Sequence, residues 1–388
     1  MFNCIKNILK SNQFEIIGIN FSTYGASLAF LDKEGKRLTP IYNYLKPLPK
    51  NFPENFYEKY DGITEFSKVT ASPAMKMLNS GLQILRLKKY KHEVFSKVDS
   101  TLHLPQYFTF LFTKKIISEL TSIGCHTALW DFEKNNYHKR LDDENIKMPL
   151  IVNNSKVFKS NIFNKEIFVG TGINDSSASL SPYILKSKNK FLVLSTGTWC
   201  ISMNPFNYEP LTKNELENDT LCYMSILKKP VKSSRLFMGH IHDVNTKKIA
   251  EHFNVNENFF KKIKFEIELL NKINSDKIFF KNSVSENYID SGVKFNCFEN
   301  AELAYIQLMI DLTKLCIKSI KYIIPEKDET NVIYVTGGFS KNQIFIELLK
   351  IYFPEKEICI SELNNASALG AAMVIYESIG MGKLQLII

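Results

Sequence analysis

Three short apolar runs each end in a turn of glycine, threonine and serine. They are Ile167-Phe168-Val169-Gly170-Thr171-Gly172-Ile173-Asn174-Asp175, Phe191-Leu192-Val193-Leu194-Ser195-Thr196-Gly197-Thr198 and Val332-Ile333-Tyr334-Val335-Thr336-Gly337-Gly338-Phe339-Ser340. A strand running into such a turn exposes backbone N–H groups and hydroxyls, a surface suited to phosphate or sugar oxygens. Glycine takes up the unusual φ and lets a ligand approach the backbone. Three such turns, the first closed by Asp175, point to a nucleotide-handling enzyme with a cleft.

Each feature carries two readings. Asp175 opens a helix and is either a plain N-cap for Ser176–Leu180 or a general base taking a proton from a substrate hydroxyl. Ser195-Thr196-Gly197-Thr198 is either a tight hairpin or a hydroxyl-and-amide cradle for a phosphate. Gly337-Gly338 either approaches a ligand or lets a helix pack closely. His240-Ile241-His242-Asp243 has the one metal-like spacing, since strand alternation would put both imidazoles on one face. A metal site needs a third and fourth ligand, and nothing nearby in sequence marks them, so a metal-dependent hydrolase is the weaker alternative. Cys125-His126 fails as a thiol–base pair, because neighbours in a strand point to opposite faces. The sequence contains no GxxxxGK[ST], GxGxxG after a strand, GxSxG or HExxH.

The elements that must position these residues follow from hydrophobic period. Glu15–Phe21 and Ala26–Asp32 read as strands, the second turning at Lys33-Glu34-Gly35-Lys36, and the Pro-rich stretch from Pro40 to Pro53 as a loop. Residues 72–118 read as mainly helical, with Met75, Leu78, Leu82 and Leu85 at helical spacing and a new helix from Pro105. A strand pair is expected over Phe191–Ser195 and Trp199–Met203, helix over roughly 245–275, and a long helix from Asn300 to Ile324. Strand, turn and helix follow from Val332 to Tyr352, and a last helix starts near Ala366, smooth along Ala368, Gly370, Ala371 and Ala372. Both halves mix strands with helices, so the class is α/β, and the composition shift from Ser181-Pro182 to Lys190 marks the boundary between domains 1–185 and 186–388.

With 388 residues, 45% hydrophobic and 23% charged, the chain is long enough for two sizeable cores. The formal charge of +9 is spread among interspersed acids and reads as solvated surface, which speaks against a nucleic-acid partner. Seven cysteines without a CxxC pair read as free thiols in a reducing compartment. No run reaches the apolar length of a membrane span and no signal-peptide core opens the chain; Phe2, Ile5, Ile8 and Leu9 instead share a helix face. The expected location is cytoplasmic.

With these motifs laid out, the chain resembles the FGGY carbohydrate kinases, within the sugar kinase, Hsp70 and actin superfamily of ribonuclease H-like folds. Six segments carry the resemblance in order: Gly18–Ser27; Leu104–Tyr107 with Glu119–Ser122; Gly172–Asp175; Leu194–Trp199; Val335–Asn342; and Ala366–Ala372. The Ser-Thr-Gly-Thr-Trp loop leans toward rhamnulokinase- and fuculokinase-like members. The resemblance implies a two-domain α/β fold with a cleft, using ATP and Mg²⁺ to phosphorylate a small-molecule sugar, a ketose or related polyol. It implies Asp175 as catalytic base; Gly25, Gln106 and Asn174 at the sugar; Gly197 and Thr198 at the ATP phosphates; and Gly337, Gly338 and Asn342 at the adenosine. No protein metal ligand is assigned.

One element of the family pattern has no counterpart: the opening strand–turn–strand whose phosphate loop helps place Mg²⁺ and ATP. Its absence predicts an open edge on the Glu15–Phe21 sheet, hence self-association, and turnover below that of a complete family member, because losing one preorganised donor alone costs about 10²–10³ in rate. A catalytically silent sugar- or nucleotide-binding protein is the corresponding alternative. The apolar tail Leu384–Ile388 reads as trimmed.

Overall fold

The computed structural model describes residues 1–11, 13–49, 52–264, 266, 279–280 and 293–382. The second half is the more regular. Strands β8 (Phe191–Thr196), β9 (Cys200–Asn204), β10 (Thr220–Met224), β11 (Pro230–Leu236), β12 (Val332–Gly337) and β13 (Glu357–Ile360) form one mixed sheet in the order β10-β11-β9-β8-β12-β13. β8 and β12 are parallel neighbours, in register from Phe191 opposite Val332 to Thr196 opposite Gly337.

Alternation along β8 explains the layers. Leu192 and Leu194 face a core shared with helices α6 (Met238–Phe253), α7 (Ala301–Lys321) and α8 (Gln343–Tyr352), through Ile241, Leu308 and Phe345 among others. Phe191 and Val193 face the other side, where Leu180 and Tyr183 of helix α5 (Asp175–Lys186) cover them. A strand covered on both faces reads as a continuous apolar run, which Phe191–Leu194 is.

The first half holds smaller sheets. β1 (Gly18–Ile19) pairs in parallel with β6 (Lys165–Gly170), which pairs with β5 (Val157–Ile162); β2 (Ser22–Thr23) pairs in parallel with β7 (Ile173–Asn174). The strand expected over Glu15–Phe21 is thus only Gly18–Ile19, and β2 follows beyond its end. Asn20 lies at the break: its Oδ1 accepts from Phe21 N and Gly172 N at 3.0 and 2.9 Å. β3 (Leu28–Leu31) pairs antiparallel with β4 (Ser100–His103), a short strand within the otherwise mainly helical 72–118. Leu82 and Leu85 lie on α2 (Ser80–Tyr90), Leu78 on the 3₁₀ turn before it, and β4 leads into α3 (Leu104–Thr113).

Other expectations shift in detail. Ser181 and Pro182 lie inside α5 and so mark no break in the chain. His240 and His242 are on helix α6, not a strand, and Cys125-His126 is in a turn. The expected 245–275 helix runs as α6, which starts earlier, followed by a 3₁₀ turn at Glu257–Lys262; its remainder, like the apolar tail, lies outside the described residues apart from Glu266. All seven cysteines are free; Cys4 and Cys297 are exposed.

The two halves are joined where α5 crosses helix α9 (Ala366–Tyr376). A Cβ added to Gly370 would lie 1.8 Å from Ala178 O and 3.1 Å from Pro182 Cδ, so the backbones themselves are in contact. Gly370→Ala is expected to lower stability by about 1–3 kcal/mol, because the obstacle is backbone and cannot rotate away. Urea denaturation reads it against Ala372→Ser on the exposed side of the same helix. A Gly370→Ala protein as stable as that control would contradict the packing account.

Candidate functional site

Asp175 is the first residue of α5, not its cap. The cap is Asn174, whose Oδ1 accepts from Ser176 N at 3.0 Å and Ser177 N at 3.5 Å. With capping done by its neighbour, the Asp175 carboxylate accepts from Ser176 N on Oδ1 (2.8 Å) and lines a cavity. Burial raises its carboxyl above the ordinary value, against hydrogen bonds from Ser176 that pull it down.

The cavity is about 880 Å³ and lies between the halves. From the first half it is lined by Asn20, Ser22, Thr23, Tyr24, Leu104, Phe108 and Asp175; from the second, by Asn365, Ala366, Ser367, Ala368 and Ala371 at the start of α9. Cross-links fix this wall: Asn20 Nδ2 donates to Ala371 O at 2.8 Å and Ser367 Oγ to Asp175 O at 3.3 Å.

The residues expected at the sugar stand behind this surface. Gly25, Gln106 and Asn174 are buried, and none lines the cavity. Gln106 Nε2 donates to Thr171 O and Gly172 O at 3.2 and 2.8 Å, clamping the first glycine turn, while its Oε1 has no partner among the described residues. Gly25 gives room to the Asn174 amide, 3.0 Å from where a Cβ would be. Ser22, Thr23, Tyr24 and Ser367 also line the cavity; all four lie within the segments Gly18–Ser27 and Ala366–Ala372, and Ser22 and Thr23 form the short β2 strand.

The other two glycine turns meet at the C-terminal ends of the parallel strands β8 and β12, where ligands bind in open α/β sheets. Thr196, buried, ties them: its hydroxyl donates to Thr336 O and accepts from Phe339 N, at 2.5 and 3.0 Å. Gly337 has φ +87°, and a Cβ there would lie 1.8 Å from Thr196 O. Gly197, Thr198, Gly337 and Gly338 are all exposed, and Cβ atoms at 197 and 338 would meet nothing closer than 3.8 and 3.9 Å. The turn at Gly197–Trp199 is a hairpin, closed by Gly197 N to Trp199 O at 2.9 Å. Gly239, unremarked in the sequence, seats α6 against it, with its N–H on Thr198 O at 3.0 Å.

Asn342 is engaged at both ends: Oδ1 caps α8 through Phe345 N at 3.2 Å and Nδ2 donates to Tyr305 Oη at 3.0 Å. His242 Nε2 is 3.2 Å from that same hydroxyl. His240 and His242, two apart on a helix, point about 200° apart around its axis, so they share no face. Among the described residues no group of three His, Cys, Asp or Glu could hold a metal, which leaves the hydrolase reading without a site.

Tyr183 of α5 meets Phe191 at the start of β8, with tilted rings whose centroids are 6.0 Å apart. Nearer the N-terminus of α5 the Ser177 hydroxyl donates to Met224 O, at the end of β10, at 2.8 Å.

Known proteins share this fold. Residues 1–177 match the N-terminal domain of the FGGY family of carbohydrate kinases and residues 188–382 the FGGY carbohydrate kinase C-terminal domain. A solved carbohydrate kinase from Novosphingobium aromaticivorans is 18% identical, with TM-score 0.77 over 97% of this chain and 83% of its own. Glycerol kinase from Plasmodium falciparum, solved with ADP, is 16% identical with TM-score 0.74 over 99% and 79%. A rhamnulokinase of Halalkalibacterium halodurans is 27% identical over 140 residues, a stretch covering 34% of this chain and 30% of that relative. Two family domains in order over nearly the whole described chain leave one assignment: this protein belongs to the FGGY family of carbohydrate kinases.

Proposed function

We propose that this protein transfers a phosphoryl group from ATP to a hydroxyl of a neutral sugar, a ketose or related polyol, with Asp175 as general base. The observation that carries this reading is the placement of Asp175: half-buried at the N-terminus of a rigid helix, uncommitted to capping, and facing a cavity between two domains. Phosphoryl transfer asks little covalent chemistry of a protein and much positioning. Asp175 accepts the proton of the attacking hydroxyl; Thr23, Tyr24 and Ser367 offer hydroxyls to the sugar, with Gly25, Gln106 and Asn174 supporting the wall. Gly197 and Thr198 receive the phosphates, Gly337 and Gly338 approach the adenosine, and Asn342 holds that region through Tyr305. The open concavity at Gly197 and Gly338 fits such a ligand. Mg²⁺ arrives with the nucleotide and neutralises phosphate charge when bound. Closure of domains 1–185 and 186–388 excludes water.

The base reading fixes a pH sign. Asp175 works as carboxylate, and burial raises its pKa, so the acid limb of kcat/KM lies above that of an ordinary carboxylate and activity falls as pH drops through it. For stability the sign is opposite. The protonated form suits the folded state, so this group's contribution is greatest at low pH and is lost as pH rises through the raised value. Asp175→Asn is therefore expected to lose about 10²–10⁴ in kcat while melting at or above the wild-type temperature at neutral pH. ADP-release assays with ketoses, beside thermal melts, measure both; turnover by the variant equal to wild type would remove Asp175 from the role. Nucleotide binding by calorimetry without turnover in wild type would favour the silent binding protein.

The cavity lining supports a neutral substrate. Among the described residues no Lys or Arg lines it, and apart from the Tyr24 phenol the one ionisable side chain there is Asp175. An aldonate such as gluconate would bring a second negative charge beside that carboxylate without a cation to offset it. Neutral ketoses such as xylulose are expected to turn over and gluconate not at all under the same conditions. Preferential turnover of gluconate would refute the neutral-substrate reading.

A further inference from the structure

Glu119 is fully buried and caps α4 (Leu120–Ile123), a helix of only four residues. A serine or asparagine would cap so short a helix without bringing a carboxyl into the core. One of its oxygens, Oε2, receives three donors: Thr121 Oγ1 at 2.5 Å, Thr121 N at 2.9 Å and Ser122 N at 3.3 Å. The other, Oε1, has no partner among the described residues. A buried, half-satisfied carboxyl calls for an explanation beyond capping.

The explanation lies one bond further on. A threonine hydroxyl has a single proton, and Glu119 takes it; the oxygen is then an acceptor toward everything else. What it accepts is the backbone N–H of Asn174, at 3.0 Å. Asn174 is the cap of α5, its side chain also meets the Cys125 thiol, and the next residue is Asp175. Burial pushes the Glu119 carboxyl up to about 7, and Oε2 serves as acceptor in either protonation state.

We propose that Glu119 and Thr121 are positioning residues: Glu119 orients the Thr121 hydroxyl, which holds the Asn174 backbone and so aims the Asp175 carboxylate into the cavity. This rests on the reading of Asp175 as base. Neither residue lines the cavity, and both act through the peptide before Asp175.

The test uses the full chain and two readouts. The first needs no substrate: the midpoint of the Asp175 side-chain carboxyl ¹³C titration. The second is kcat and ATP KM from ADP release with xylulose. Thr121→Val is expected to move the Asp175 midpoint down toward an ordinary carboxylate, as water reaches the loosened helix end. It also lowers kcat by about 10- to 100-fold with ATP KM within about twofold of wild type, since a displaced reacting group costs rate more than binding. Thr121→Ser, which keeps the hydroxyl, restores both. Glu119→Ala shifts both in the same direction, and combined with Thr121→Val adds nothing further, because the two residues act in series. If Thr121→Val does not fold, Glu119→Ala against Glu119→Gln, which keeps an acceptor oxygen, reads the same relay. An unchanged midpoint in Thr121→Val, failure of serine to rescue, or additive effects would overturn the proposal. An active Asp175→Asn with a midpoint still shifted in Thr121→Val would instead overturn the base reading and leave the relay standing.

Discussion

The structure depends on two helix backbones touching. Pro182 has no N–H, so α5 cannot give Ala178 O its usual partner from one turn ahead. Gly370 of α9 comes against that same carbonyl, closer than any side chain would permit. Several links between the two domains are arranged along this crossing, beside others such as Asn154 Nδ2 to Ile226 O at 2.7 Å. At one end Ser367 reaches the Asp175 carbonyl and Asn20 reaches Ala371 O. At the other, the Tyr183 hydroxyl meets Ser361 Oγ at 2.7 Å, tying α5 to the chain after β13. A contact between backbones leaves few ways to slide, so Asp175 is held at the end of a stiff member.

That division also explains what the sequence disclosed. The glycine turns, Asp175 and the α/β alternation were legible because each depends on neighbours in the chain: an apolar run, then residues that permit an unusual backbone. The smooth face of Ala368, Gly370 and Ala371 was legible as a close approach, though not the partner, since no local pattern points from residue 370 to residue 178. The same limit applied at the sugar side. Gly25, Gln106 and Asn174 have the right residue types for a polyol, but burial is a tertiary property, and it sends their polar groups to the backbone of Thr171, Gly172, Ser176 and Ser177. β4 gives no signal of its own in a mainly helical stretch because Ser100–His103 is only four residues long, too short for its period to stand out beside the helical spacing of α2. Its strand character comes from pairing with Leu28–Leu31.

The misreading of the histidines has a related cause. Spacing of two means one face only on a strand, and His240-Ile241-His242 has no local signal stronger than the neighbouring helix, which begins at Met238. Tertiary contact then gives each imidazole separate company: His240 stacks on Phe237, itself stacked on Trp199, and His242 meets Tyr305 and Phe339. These rings brace the wall behind the second and third glycine turns.

Around Asp175 the chain departs from what stability alone would select. A carboxylate drawn out of water, a capping asparagine sealed beneath it, and a buried glutamate with an idle oxygen all cost folding free energy. The cost is local, concentrated within the segments 119–125 and 172–177, and the apolar layers on both faces of β8 are what can offset it. A carboxylate that is poorly solvated and fixed in direction requires that combination: polar groups in the interior that satisfy one another more than they satisfy water, mounted on a helix packed backbone to backbone against the opposite domain. The same desolvation that makes the site expensive raises the basicity of the carboxylate, so the loss in stability and the gain in chemistry have one physical origin.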